Sequence, residues 1–241
     1  MTADKFTDTD PEVLYNKGNM AGMLNNFADA FDYYLKASEK GYAPAQCNLA
    51  FCYEKCHGVP QNLEKAVEYY HKSATQGYAP AQCNLGWCFE SGLGIEADIE
   101  KAVLYYVKSA EQGYAPAQGN LGFCYENGNG VPKDLDEAYN WYSKAANQGN
   151  VFAQYHIGNC YETGKGAEAD IAKAIEWYKK SAEHGYAPAQ NSLGSCYENG
   201  KGVPQDFQKA YEWYNYAAVQ GNLAAMHNIE NLKKRGIKLQ Q

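Results

Sequence analysis

Apolar residues recur along this chain at the spacing of paired amphipathic helices. Within residues 41–76, Leu49 and Cys52 belong to one such run, and Ala66 and Tyr70 belong to a second. Intervals of three and four residues place apolar side chains on one face of a helix. The whole pattern returns every 36 residues, which is typical of a stack of helix pairs. The pattern therefore predicts an extended repeat protein built from antiparallel helices.

Glycine and proline mark where these helices begin and end. The hexapeptide Gly-Tyr-Ala-Pro-Ala-Gln starts at Gly41 and returns at the start of later units, where its glycine suits the end of one helix and its proline the first turn of the next. Gly58 is expected to end the first helix of this pair, whose apolar face would carry Cys56. Asn62 is predicted to cap the second helix, as are its counterparts Asp98, Asp134, Asp170 and Asp206.

The repeated motif is similar to a known family. Leu85-Gly86, a Glu-x-Gly-x-Gly turn, Asp98 followed by Lys101-Ala102, and a Tyr-Tyr or Trp-Tyr pair resemble the Sel-one-like repeat (SLR), a subclass of the tetratricopeptide-repeat (TPR) superfamily. Five units carry the pattern: 41–76, 77–112, 113–148, 149–184 and 185–220. The resemblance predicts a TPR-like capping repeat at 1–40, the five Sel-one-like repeats across 41–220, and a C-terminal capping helix at 221–241.

The resemblance also implies a fold and a mode of action. It predicts an all-α, right-handed superhelical solenoid of antiparallel helix pairs, with about thirteen helices. In this family the first helix of each pair lines a concave groove, and members act as adaptors that hold protein complexes together. The groove positions correspond here to Phe51, Glu54, Cys83, Trp87, Glu90, Phe123, Glu126, Tyr155, Asn159, Glu162, Asn191, Ser195 and Glu198.

Two features of these groove positions suggest how a partner is bound. Phe51, Trp87 and Phe123 form an aromatic row that stops at Asn159, and aromatic residues dominate interface hot spots. Five glutamates run the whole length and would favour a partner with basic residues. The alternatives are that the rings pack in the core and that the glutamates belong to the family's ordinary pattern.

Charge and hydropathy exclude several classes of partner. The net charge is −7, and the one basic cluster is at residues 233–238, so nucleic acid is not expected. The sequence has no run of about 20 apolar residues, so membrane insertion is not expected. The N-terminus lacks the apolar segment of a secretory signal. We expect a monomer in the cytoplasm.

Cysteine spacing points to free thiols rather than to disulfides or a metal. One cysteine recurs at the same place in five repeats, where packed helices are too far apart for a disulfide: Cys52, Cys88, Cys124, Cys160 and Cys196. This usage favours a reducing compartment. Cys47, Cys52, Cys56 and His57 are close in sequence, but their spacing matches no zinc motif, so neither metal nor cofactor is expected.

The sequence contains no signature of catalysis. The Gly-x-Gly turns do not continue into a phosphate-binding loop, and the serine-hydrolase and zinc-protease motifs are missing. We therefore predict a non-catalytic adaptor or scaffold that binds a peptide or protein partner in its groove. The alternatives are a regulatory subunit that activates an enzyme, the repeat portion of a larger signalling protein, or an enzyme.

Overall fold

A computed structural model describes residues 9–237, which form thirteen helices and no strand. The helices are α1 (Pro11–Met23), α2 (Phe27–Glu39), α3 (Ala43–Lys55), α4 (Leu63–Thr75), α5 (Ala79–Ser91), α6 (Ile99–Glu111), α7 (Ala115–Asn127), α8 (Leu135–Asn147), α9 (Val151–Thr163), α10 (Ile171–Glu183), α11 (Ala187–Asn199), α12 (Phe207–Ala218) and α13 (Leu223–Lys234). The predicted all-α fold is confirmed.

The chain divides into two compact units. The first comprises residues 9–117 with 129–131, and the second comprises residues 118–128 with 132–237. In the first unit, successive helices from α1 to α6 pack against each other, and successive helices from α8 to α13 do the same in the second unit. This arrangement is the predicted stack of helix pairs. The first residues of helix α7 belong to the first unit, and the rest of this helix belongs to the second.

Polar side chains fix the helix starts where the sequence predicts them. Asn62, Asp98, Asp134, Asp170 and Asp206 each accept a hydrogen bond from a backbone N–H in the first turn of the helix that follows. These bonds satisfy donors that have no partner inside the helix. Proline occupies the first turn of α3, α5 and α11, where a missing N–H does no harm.

Glycine ends the first helix in most pairs within 41–220, and α3 is the exception. Gly92, Gly164 and Gly200 adopt the left-handed conformation at the ends of α5, α9 and α11. In α3 this place belongs to Cys56, which has φ 61°, so the prediction that Gly58 ends the helix is wrong. Cys56 is also exposed, contrary to its predicted place on the apolar face, because it lies beyond the last helical residue.

One tyrosine lies at the centre of each of five repeats, and these equivalent residues are called here the tyrosine column. Their side chains are almost fully buried: Tyr70, Tyr106, Tyr142, Tyr178 and Tyr214. In the pair of α5 and α6, a Cβ added to Gly86 would lie 2.8 Å from the Tyr106 ring, so the glycine allows the ring to sit against the helix. Beside Tyr70, Ala66 and Ala74 are buried as predicted, whereas Leu63 and Val67 are only half-buried.

The recurring cysteines are buried free thiols, as predicted. Burial raises the pKa of the Cys52 thiol to about 11 and that of Cys88 to about 12. A thiol with such a pKa is a poor nucleophile, since the thiolate is the reactive form. These residues therefore pack as small apolar groups rather than as reactive ones.

Paired glutamine side chains hold an equivalent place in four repeats, called here the glutamine column, and one repeat lacks the pair. Four glutamines at the ends of second helices donate from Nε2 to the Oε1 of a glutamine in the preceding helix, at 2.7–2.8 Å: Gln76 to Gln46, Gln112 to Gln82, Gln148 to Gln118 and Gln220 to Gln190. His184 takes this place after α10 and contacts the Lys180 carbonyl instead. The buried Oε1 of Gln154 consequently has no hydrogen-bond partner.

Replacing Cys56 by glycine should stabilise the protein. Glycine adopts positive φ without the steric penalty that a Cβ imposes, and the four other repeats already have glycine at this position. We expect Cys56→Gly to raise the free energy of unfolding by about 1 kcal/mol, measured by urea denaturation. The control Cys56→Ser keeps the Cβ and should show no such gain. An equal gain in both variants would contradict this explanation.

Restoring the glutamine column should stabilise the second unit. His184→Gln gives Gln154 the hydrogen-bond donor that a glutamine supplies in other repeats. An unsatisfied buried acceptor costs about 1–3 kcal/mol. We expect the midpoint of thermal unfolding to rise. The exposed His71 on α4 provides the control, because His71→Gln changes the same residue type outside the column. No difference between the two variants would show that the column adds nothing to stability.

Candidate functional site

The glutamates predicted to line a groove are bound to the tyrosine column. In each of five repeats the tyrosine hydroxyl donates a hydrogen bond of 2.5–2.8 Å to the carboxylate sixteen residues earlier: Tyr70 to Glu54, Tyr106 to Glu90, Tyr142 to Glu126, Tyr178 to Glu162 and Tyr214 to Glu198. The sequence reasoning missed these bonds. The constant sixteen-residue interval between two repeated residue types was the signal that pointed to them.

Burial explains why these bonds are needed. A hydroxyl taken out of water without a partner costs about 1–3 kcal/mol, and a carboxylate is the stronger kind of acceptor. Burial and the Glu54 charge raise the pKa of Tyr70 well above its ordinary value, so the hydroxyl stays protonated and donates. Each glutamate therefore holds a second helix against the first helix of its pair.

Most of these glutamates also have a cationic neighbour. In three glutamates the second carboxylate oxygen, Oε1, lies close to a cation. The distance is 2.7 Å from Glu54 to Lys55 Nζ, 2.6 Å from Glu162 to Lys201 Nζ and 2.6 Å from Glu198 to Arg235 Nη1. Lys201 and Arg235 lie one repeat further along the chain. These cations offset much of the negative charge that the glutamates would otherwise present to a partner.

In the first unit, two of the predicted aromatic anchors are exposed. Phe51 is 42% exposed and Trp87 is 39% exposed. The Phe51 ring meets His57 edge-on, with 5.5 Å between the ring centres. Lys55 Nζ lies 5.9 Å from the centre of the Trp87 ring, so Lys55 links the Glu54 carboxylate to this ring. Cys83 is buried instead, and burial raises the pKa of its thiol to about 12.

In the second unit, the aromatic residue of the row is packed on its neighbours. Phe123 is half-buried, with its ring centre 6.2 Å from Phe152 and from His156. The His156 ring stacks on Tyr142 at 4.6 Å, and its Nδ1 lies 3.0 Å from Oε2 of Glu126. His156 is the main cause that lowers the pKa of Glu126, and the Tyr142 hydroxyl adds to it.

The absence of a side chain at Gly119 makes room for the cluster of Phe123, Phe152 and His156. Gly119 stands where the earlier repeats have cysteine, and Phe152 and His156 replace the proline and asparagine of other repeats. A Cβ on Gly119 would lie 3.4 Å from Cδ1 of Phe152, so this ring occupies the space beside the glycine. On the next turn, Tyr155 meets Tyr186 edge-on at 5.5 Å.

The uncharged polar residues among the predicted groove positions also have partners. Asn159 Oδ1 accepts a hydrogen bond of 2.6 Å from the Tyr178 hydroxyl. Asn191 Oδ1 accepts from Asn228 Nδ2 at 3.0 Å, and Ser195 Oγ accepts from Asn199 Nδ2 at 3.3 Å. These three residues therefore take part in contacts within and between the repeats.

The described residues contain neither a metal-binding cluster nor a membrane-spanning helix. No group of three or more His, Cys, Asp or Glu side chains there is arranged to hold a metal ion. Over the same residues, no helix has both the length and the apolar character required to span a bilayer.

The helix pairs, the tyrosine column and the glycine turns define a TPR-like repeat protein, and comparisons identify its class. The sequence pattern of the family described as Sel1 repeat matches six segments: 13–42, 43–78, 79–114, 115–150, 151–186 and 187–222. The chain belongs to the Sel1 repeat family. Members of this family generally mediate protein–protein interactions, and the scaffold is typically non-catalytic.

Solved structures agree with this assignment. A Sel1 repeat protein from Oxalobacter formigenes is 34% identical, with a TM-score of 0.85 over 93% of this chain and 89% of that one. The protective antigen c5321 of uropathogenic Escherichia coli, which displays an SLR fold, is also 34% identical, with a TM-score of 0.79 over 95% of this chain. This chain spans 50% of the length of that antigen. A comparison with curated protein sequences gave no match.

The glutamate–tyrosine pairs should make stability depend on pH in the acid range. Burial raises the pKa of Glu162, but hydrogen bonds from Lys201 and Tyr178 outweigh it, so the folded-state pKa lies below the ordinary 4.5. A depressed pKa adds stability that is present above pH 4.5 and is lost as the pH falls through the folded value. We expect Glu162→Gln to lower the free energy of unfolding at pH 7 and to flatten its loss below pH 4.5, measured by urea denaturation.

The control for this prediction is on the same pair of helices. Glu176 on α10 is exposed, so Glu176→Gln removes a charge of the same sign without touching the tyrosine. Its stability should follow the native pH profile. If Glu162→Gln and Glu176→Gln gave the same profile, the ion pair would have no role in acid stability.

Proposed function

We propose that this protein is a non-catalytic adaptor or scaffold that binds a peptide or protein segment on the face formed by its first helices. The observation that carries the proposal is the exposure of Phe51 and Trp87, two large rings on α3 and α5. Exposed aromatic rings on a repeat scaffold are natural anchors for a partner. The membership of a family that mediates protein–protein interactions supports the same function.

The proposed contact area includes all the predicted groove residues, but with different roles. Phe51, Trp87 and Phe123 would contribute apolar contacts, and Glu90, three residues after Trp87 on α5, would favour a basic group of the partner. Glu54, Glu162 and Glu198 already bind cations, so their attraction for a basic partner is weaker. The remaining members are Cys83, Glu126, Tyr155, Asn159, Asn191 and Ser195.

The exposed fractions limit the affinity of such a site. Full burial of a large apolar side chain is worth about 1.5–3 kcal/mol. Because Phe51 and Trp87 are 42% and 39% exposed, a partner that covers them gains about 1 kcal/mol from each ring. Loss of one ring should then weaken binding about fivefold.

The proposal extends to the organisation and setting of the chain. We propose capping segments at 1–40 and 221–241 around the five repeats of 41–220, supported by the short turn between α1 and α2 and by the single helix α13. We also propose a monomer in the cytoplasm. Free cysteines throughout, seven of them buried, suit a reducing compartment.

The test is affinity capture from the native cell extract with the wild-type protein and Trp87→Ala. We expect Trp87→Ala to retain about fivefold less of the captured protein, because the ring contacts the partner. Leu104→Ala is the matched control, since Leu104 is a 50% exposed apolar residue on α6 of the same repeat. This control should capture as much as the wild type.

Thermal unfolding of the variants decides between an anchor and a core residue. An anchor role predicts that Trp87→Ala keeps a melting temperature close to that of Leu104→Ala. A collapse of the Trp87→Ala melting temperature would assign the ring to the core. Equal capture by the wild type and Trp87→Ala would remove the proposed binding face.

A further inference from the structure

The first unit contains a cavity of about 340 Å³ beside Phe51 of the proposed binding face. It lies where the end of α1, the start of α2 and the end of α3 meet, and its lining includes Asn19, Gly22, Met23, Phe27 and Phe51. Its volume falls in the range of pockets that hold small ligands or ligand groups, about 300–1,000 Å³.

Two departures of the first helix pair from the later repeats create this cavity. Three residues, 24–26, connect α1 to α2, whereas seven, 56–62, connect α3 to α4. The twelfth residue of α3 is Glu54, and the twelfth residue of α1 is Gly22. The pair therefore lacks both the long turn and the carboxylate that occupies this place elsewhere.

In the second unit, the glutamate side chain occupies the position that is open in the first helix pair. The cavity there is only about 20 Å³, and its lining includes Glu126, Leu135 and Asn159, the counterparts of Gly22, Phe27 and Phe51. The Glu126 carboxylate accepts a hydrogen bond from Tyr142. In the first unit the corresponding Tyr34 hydroxyl donates to Asn19 Oδ1 at 2.8 Å instead, and the space of the carboxylate stays open.

The lining determines the chemistry of what can enter. Met23, Phe27 and Phe51 supply apolar walls, and the His57 ring stacks on Phe27 with 4.2 Å between centres. No Asp, Glu, Lys or Arg is among the described lining residues, so nothing there balances a charged group. An uncharged apolar side chain fits these walls.

One polar group in the lining can orient such an occupant. Asn19 Oδ1 accepts hydrogen bonds from the Tyr34 hydroxyl and from Asn48 Nδ2. Among the described residues, nothing accepts a hydrogen bond from Asn19 Nδ2. This amide can therefore donate to a carbonyl, which every residue of a polypeptide carries.

We propose that this cavity receives one bulky apolar side chain of a partner polypeptide, of the phenylalanine or leucine class, with a backbone carbonyl accepting from Asn19. The inference rests on the proposed function, since it names the residue type that the partner presents to the first unit. Phe51 belongs both to this cavity and to the proposed binding face, so one partner segment can contact both.

The test uses single blocked amino acids as probes of the full chain. With methyl-labelled methionine, the Met23 resonance should shift in a saturable way with N-acetyl-phenylalanine amide and N-acetyl-leucine amide. The corresponding lysine and glutamate amides should bind at least tenfold more weakly. No shift of Met23 with either apolar amide overturns the inference.

A filling variant makes the test specific to the cavity. Gly22→Glu introduces the side chain of the later repeats, and a Cβ there has only ordinary contacts, the nearest 3.8 Å from the Tyr34 hydroxyl oxygen. The repeat 149–184 shows that such a glutamate and an asparagine can share one tyrosine, because the Tyr178 hydroxyl lies within hydrogen-bond distance of acceptor oxygens of both Asn159 and Glu162. We expect Gly22→Glu to fold and to bind the phenylalanine amide at least tenfold more weakly.

The matched control adds the same charge outside the cavity. Ala28 is exposed on α2 and is not part of the lining, so Ala28→Glu should bind like the wild type. Unchanged binding by Gly22→Glu, or equal loss in both variants, overturns the inference. These outcomes leave the proposed function standing, because that function is tested separately through Trp87 and protein capture.

Discussion

The hydrogen bond between a buried tyrosine hydroxyl and a glutamate carboxylate is the interaction on which each repeat depends. The tyrosine ring fills the space between the two helices of a pair, and its hydroxyl would be unsatisfied without an acceptor there. The glutamate supplies that acceptor from the first helix. Since the same first helices carry the proposed binding face, the residues that shape this face also hold the pair together.

This double use changes what the acidic row can do for recognition. Of the five carboxylates, Glu54, Glu162 and Glu198 bind a tyrosine through one oxygen and a cation through the other. A partner therefore meets three carboxylates that already bind a cation rather than five free charges. Recognition by shape and apolar contact, through Phe51, Trp87 and the cavity beside Gly22, agrees better with this arrangement.

The sequence was sufficient for features that depend on neighbouring residues. Helix pairs, N-caps such as Asn62 and Asp98, and buried thiols such as Cys52 followed from spacing and residue type alone. The partners of the glutamates did not follow, because a bond across sixteen residues depends on how closely two helices approach. The cavity near Gly22 is likewise defined by atoms that are missing, which only a comparison between repeats in three dimensions makes visible.

The cluster around Gly119 has a consequence for how such an array can gain or lose units. At other joints a side chain binds the residue 37 positions earlier, as Asn84 does with Cys47 and Asn228 with Asn191. At the joint between repeats 113–148 and 149–184, Phe152 fills the space that Gly119 leaves. These two repeats therefore have complementary side chains that the other repeats lack. Deletion of the 36-residue repeat 113–148 would set Phe152 against Cys83, which has a side chain where Gly119 has none. The order of the repeats is thus constrained at this joint by a glycine and phenylalanine pair that occurs at no other joint between the repeats of 41–220.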